Sequence, residues 1–128
     1  MLNAKLTNLA ANAQVDALTA LLNGGTLEIY TEVQPIDADL PPTGELLAVL
    51  AFGTPAFAPG VNGVAVAHSL KGTTSLANGI ASWYRCRGAA PVCDGSIGTS
   101  DANLVLNAVN FITGAIISVD SFVLTVRK

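Results

Sequence analysis

The chain has 128 residues, of which 51% are hydrophobic and only 12% charged, with a formal net charge of −3; an average soluble domain carries about 25% charged residues. That length suits one domain with its own core. The six Lys and Arg residues are scattered and form no basic stripe for nucleic acid, and no run approaches the ~18 apolar residues of a membrane span.

A surface so poor in charge implies cover by other subunits, because large exposed apolar patches mark interfaces. A homo-oligomer or larger assembly is therefore expected. A compact monomer rich in Ala, Gly, Ser, Thr and Asn is the plain alternative. Near the N-terminus, Asn12, Gln14 and Asp16 stand where a signal peptide would carry an unbroken apolar core. The expectation is a chain made in the cytosol without a signal peptide.

From Asn8 to Leu22 the periodicity predicts a helix. Val15, Leu18 and Leu22 fall on one stripe, flanked by Leu21 and Ala11. Thr7 or Asn8 supplies the N-cap, and Asn23-Gly24 tolerates the left-handed conformation in which helices often finish. Gly25 is expected to let the chain turn tightly before Thr26.

Residues 26–31 then alternate as a half-buried strand, with Leu27, Ile29 and Thr31 on one side and Thr26, Glu28 and Tyr30 on the other. Gln34 to Gly44, with Pro35, Pro41 and Pro42, reads as a loop. Glu45 to Phe52 is apolar on both faces and predicts a central strand. GTPAFAPG interrupts, and Gly63 to His68 resumes alternation. Lys71 to Gly79 reads as polar and turn-like.

Ile80 to Arg87 and Val92 to Ile97 predict a hairpin closed by Gly88-Ala89-Ala90-Pro91. Leu104 to Asn107 is a short strand, and Ala115 to Val126 is one long strand or two joined at Asp120-Ser121. The expected fold is mainly β, an antiparallel sandwich or jelly roll over about 26–127 behind a single helix at about 8–22, all in one domain.

Few residues carry chemistry. His68 is the sole histidine and has no evident acid–base or nucleophilic partner; one His and two Cys fall short of a closed zinc site. Asp37-Ala38-Asp39 and Asp101-Ala102-Asn103 lack the calcium-loop frame and read as solvated loop carboxylates. The glycine pair 24–25 follows a helix and precedes a strand, the reverse of a phosphate loop. No metal, no cofactor and no enzymatic activity are expected.

Cys86 and Cys93 flank the hairpin loop and are placed to face each other across two strands. In a cytosolic chain two reduced, packed thiols are expected, with a loop-stabilising disulfide as the alternative. Trp83 and Arg85 share a strand face and, with Tyr30 and Phe57, are the candidate contact residues for a partner. A core Trp with arginines at its rim is the competing reading.

The order of AANAQVDALTALLNGGTLEIYTEVQP (10–35), ELLAVLAFGTPAF (45–57), GVAVA (63–67), ASWYRC (81–86), VCDGSIGTSDANLVLN (92–107) and ISVDSFVLTV (117–126) resembles a family of small structural proteins of tailed-phage and prophage virions. The two cysteines depart from that pattern, so a disulfide does not come with the resemblance. The resemblance implies a non-enzymatic virion component that binds the major capsid protein or other virion subunits. Capsid decoration (cement) or a minor capsid role is expected, in symmetric copies such as trimers. A tail, tail-tip or receptor-binding component using the loop from Ile36 to Thr43 is the first alternative, and a carbohydrate-binding module the second.

Overall fold

Helix α1 (Asn8–Ala20) begins where the Thr7 hydroxyl accepts the Ala10 N–H at 3.1 Å and so satisfies a free amide of the first turn. The structure, a computed structural model, describes residues 3–126. Ala11, Val15 and Thr19 form the buried stripe of the helix, continued by Leu22 in the turn beyond it; burial of Val15 and of Leu22 contributes about 1.5–3 kcal/mol each. Leu21, expected to flank that stripe, is 60% exposed. Leu21 is the C-cap, where the chain leaves the helix for a turn. The helix thus stops before the Asn23-Gly24 pair expected to end it; Gly24, at φ +70°, closes the turn that follows and donates its N–H to the Gly53 carbonyl.

Gly25 has a different job from the tight turn expected of it. A Cβ there would lie 1.9 Å from the Arg87 carbonyl oxygen, and one at Gly88 would lie 2.0 Å from that of Leu21. The helix end and the hairpin tip thus meet backbone to backbone through two residues without side chains.

Among the described residues eleven strands follow: β1 (Thr26–Tyr30), β2 (Leu46–Ala51), β3 (Val64–Val66), β4 (Thr73–Thr74), β5 (Gly79–Ile80), β6 (Trp83–Arg87), β7 (Pro91–Gly98), β8 (Leu104–Leu106), β9 (Asn110–Phe111), β10 (Ile116–Ile117) and β11 (Val119–Thr125). Seven make one sheet in the order β2-β1-β6-β7-β8-β11-β3. The domain is mainly β with one helix, its curled sheet wrapped round a single core in a sandwich-like arrangement. Phe52, Phe57, Tyr84 and Phe122 pack ring to ring in that core, with centroids 5.0–6.1 Å apart.

The sheet is mixed. All pairings are antiparallel except β7 with β8, where Ile97 lies beside Leu104. Parallel neighbours ordinarily need a dozen or more connecting residues. Here a short loop doubles back, with Asp101 at φ +49° and Ser96 bonded to Asn103 across the loop base.

β2 stands at the end of the sheet order, an edge strand where a central one was expected. Its apolar sequence is explained by partial cover. The Leu76 N–H donates to the Leu47 carbonyl at 2.7 Å, so the chain beyond β4 shields the outer edge at that point. Farther along, Val49 is 36% exposed. The segment expected to be turn-like, 71–79, contains β4 and begins β5. The last strand region breaks at Ser118, with a bulge between Val119 and Ser121 in β11.

Gly25→Ala and Gly88→Ala should each destabilise the fold by about 1–3 kcal/mol or more, the cost of overpacking against fixed backbone. Gly53→Ala, whose new methyl would meet only the Pro55 oxygen at 3.9 Å, should stay within about 0.5 kcal/mol. Urea denaturation of the three variants compares them directly.

Candidate functional site

The sequence-derived candidates divide between two buried places. On β1, β6 and β7 a row of charges crosses the sheet: Glu28 lies opposite Arg85, and Arg85 opposite Asp94. Arg85 chooses Asp94. Its Nε and Nη2 donate to the two carboxylate oxygens at 2.7 and 2.9 Å, a bidentate pair with both side chains almost sealed from solvent. Glu28 turns instead to Arg87 at 2.8 Å, nearer the surface, and accepts the Tyr30 hydroxyl at 3.1 Å.

Trp83 is fully buried on the same face. Its ring stacks on Tyr30 with centroids 4.7 Å apart, its indole N–H donates to the Thr31 carbonyl at 3.0 Å, and the Arg85 guanidinium sits 5.4 Å from its centroid. Burial first, and then the negative charge of Glu28, push the Tyr30 hydroxyl above its ordinary pKa and keep it a donor. Tyr30, Trp83 and Arg85 therefore use their surface inside the chain and present none to a partner. The competing reading, a core tryptophan beside arginines, is the one the structure supports, with Arg85 itself inside rather than at a rim.

Phe57, the fourth candidate, is a core residue 5% exposed. It forms part of the floor of a groove of about 270 Å³ between α1 and the chain at 55–59, where Asp16, Thr19 and His68 also lie. These three do not form a relay. The Asp16 carboxylate accepts the Gly60 N–H at 2.7 Å, the Thr19 hydroxyl donates to the Asp16 main-chain carbonyl, and among the described residues no hydrogen bond joins the His68 imidazole to either. Asn12 and Asn23 bind the Gly63 and Ala56 amides in the same way, so the helix side chains here clamp the loop. His68 is exposed at the end of its strand segment.

Asp37 and Asp39 shape their own turn, the Asp39 amide donating to the Asp37 carboxylate. No group of three His, Cys, Asp or Glu suited to a metal ion occurs among the described residues. Cys86 and Cys93 face each other directly across β6 and β7 as free thiols, Cys86 buried and Cys93 half-buried. The four Phe, two Tyr and one Trp of the chain are all buried, which leaves no ring on the surface for a sugar to stack on.

The most distinctive surface lies elsewhere, in a segment the sequence reading passed over. β4 pairs with β10 and β5 with β9 in one shared register, bridged by the Ser75 and Gly114 backbone bonds. Residues 73–80 and 110–117 therefore form a single antiparallel ribbon. Odd positions such as Ser75, Phe111 and Ile117 turn inward; even positions turn out. The outward row carries Leu76 (59% exposed), Ile80 (62%), Ile112 (67%) and Ile116 (74%), and neither segment contains a charged residue. Gly79 packs against Thr31 and Leu47, which sets the ribbon beside the start of the loop holding the exposed Val33 and Ile36. The period-2 alternation was present in the sequence. Gly72, Ser75, Asn78 and Gly79 disguised it as a turn.

No family model, curated protein or solved structure matches this chain. No described helix is long and apolar enough to cross a membrane.

Arg85→Ala strands the Asp94 charge in a sealed site and should cost about 3–5 kcal/mol of stability, whereas Arg85→Met combined with Asp94→Leu should recover most of that loss. Chemical denaturation of the single and double variants measures both.

Proposed function

We propose that this protein is a non-catalytic structural subunit of a phage virion that docks through the outer face of the 73–80/110–117 ribbon. The reading rests on one observation above all: four large aliphatic side chains stand in solvent on a regular, charge-free β surface. Exposed flat β surfaces of this kind are aggregation-prone unless covered. The charge on the remaining described surface is mostly carboxylate. Among the described residues Arg85 and Arg87 are both ion-paired, which leaves Lys5 and Lys71 as the cations outside an ion pair.

The occupant we assign is the major capsid protein lattice, with this chain bound as a decoration or minor capsid protein in symmetric copies such as trimers. The virion assignment comes from the resemblance of its sequence pieces to phage structural proteins. A ligand that engages only the assembled shell stabilises it by mass action, by about 2.7 kcal/mol at a hundredfold excess over Kd. A standard interface takes about 20–30 residues a side. The ribbon supplies the centre of such a patch, and the neighbouring loop supplies its rim. A tail-tip or receptor-binding role is the second reading, favoured by the complete exposure of Ile36 (100%) in that loop.

Ile112→Lys with Ile116→Lys should leave the isolated fold within about 1 kcal/mol of wild type, since both side chains are already in water, yet abolish binding to purified capsids. Leu9→Lys on the far-exposed start of α1 serves as the control and should bind normally. Capsids carrying the wild-type protein should resist heat better than capsids without it. Equal heat resistance with the protein bound would remove the cement role. Normal capsid binding by the double variant would remove the ribbon as the docking face.

A further inference from the structure

We infer that Cys86 and Cys93 form a reversible dithiol–disulfide site, closed by thiol–disulfide exchange with a small disulfide oxidant such as oxidised glutathione, and that Cys93 is the attacking residue. The inference goes beyond the docking role and is independent of what the ribbon binds.

The geometry carries it. The two residues are direct cross-strand partners near the loop end of the β6–β7 hairpin. Directly opposed residues in an antiparallel pair have Cα atoms about 4.5–5.5 Å apart, inside the ~4.4–6.8 Å window a disulfide requires. Access is unequal. Cys86 is fully buried, whereas Cys93 retains a solvent-facing side. Cys93 is the more accessible of the two to an incoming reagent.

The chemistry of the pair is asymmetric in the same sense. Burial pushes the Cys86 thiol well above its usual pKa. The neighbouring Cys86 thiol draws the Cys93 thiol below its usual value, against burial and the negative charge of Asp94. A thiolate is the nucleophile in exchange. The Cys93 thiolate attacks one sulfur of the oxidised glutathione, its S–S bond breaks, and one glutathione thiolate leaves and takes up a proton. The Cys86 thiol then loses its proton to solvent and attacks the Cys93 sulfur, expelling the second glutathione. Two protein thiols are oxidised by two electrons, and one glutathione disulfide is reduced to two thiols.

The closed bond would clamp the hairpin whose tip, at Gly88, abuts the end of α1. A reducing cytosol would keep the pair open, and an oxidising exterior would close it.

Intact-mass spectrometry of the purified protein after incubation with oxidised glutathione tests this. The expected product has lost two hydrogens, carries no glutathione, reverts with dithiothreitol, and melts roughly 5–10 °C higher than the reduced form. Cys86→Ala should accumulate a stable glutathione adduct at Cys93 and alkylate more slowly than wild type, because it lacks the neighbouring donor that poises Cys93. Cys93→Ser should stay unmodified. A wild-type protein that remains reduced, or that ends as a persistent glutathione adduct, overturns the inference without reference to any variant. Preferential labelling of Cys86 overturns the assignment of the attacking residue.

Discussion

The sealed ion pair between Arg85 and Asp94 is the constraint round which the rest of this molecule is arranged. β6 lies inside the sheet with both faces covered, Tyr84 and Cys86 on the apolar side and Trp83 and Arg85 on the other. A guanidinium sealed from water is tolerable only if its donors are met. Asp94 meets them from the neighbouring strand in a fork geometry. That match requires the β6–β7 register that also sets Cys86 opposite Cys93 and brings the hairpin tip to the end of α1. A slip of one residue would put every side chain of β7 on the wrong face and would lose all three at once.

The same constraint decides what the surface can offer. Tryptophan, tyrosine and arginine are the side chains that most often anchor a partner, and here Trp83, Tyr30 and Arg85 are turned inward to complete one another. With every aromatic ring buried as well, contact with another molecule falls to aliphatic side chains. Those are concentrated where the backbone alternates cleanly in and out, on the 73–80/110–117 ribbon. Shape and apolar area would therefore dominate contact on the charge-free ribbon itself, while exposed carboxylates outside any ion pair, among them Glu32, Asp37 and Asp39 in the neighbouring loop, would supply the electrostatic steering.

Much of the architecture was legible from periodicity. The helix with its Thr7 cap, the β6–β7 hairpin, and the opposition of the two cysteines all follow from local signals that tertiary packing did not override. What escaped reading depended on neighbours distant in sequence. Gly25 resembles a turn residue until the Arg87 carbonyl is seen against it. ELLAVLAF has the composition of a central strand, and only the bond from Leu76 to Leu47 explains how an edge comes to be so apolar. The ribbon was missed for the opposite reason. Its pairs join residues thirty or more positions apart, and small polar residues on the inward side mask the outward aliphatic row. The candidate contact residues were chosen by residue type, which cannot distinguish a side chain that anchors a partner from one that anchors its own sheet.

The claim at the centre of this account is that the protein acts by laying its aliphatic ribbon against another subunit. A cryo-EM reconstruction of the particle that contains it tests this most directly. The account predicts density of a neighbouring subunit packed over Leu76, Ile80, Ile112 and Ile116, with the Arg85–Asp94 pair remaining internal. A particle in which the protein is held by another surface while those four side chains face solvent would contradict it.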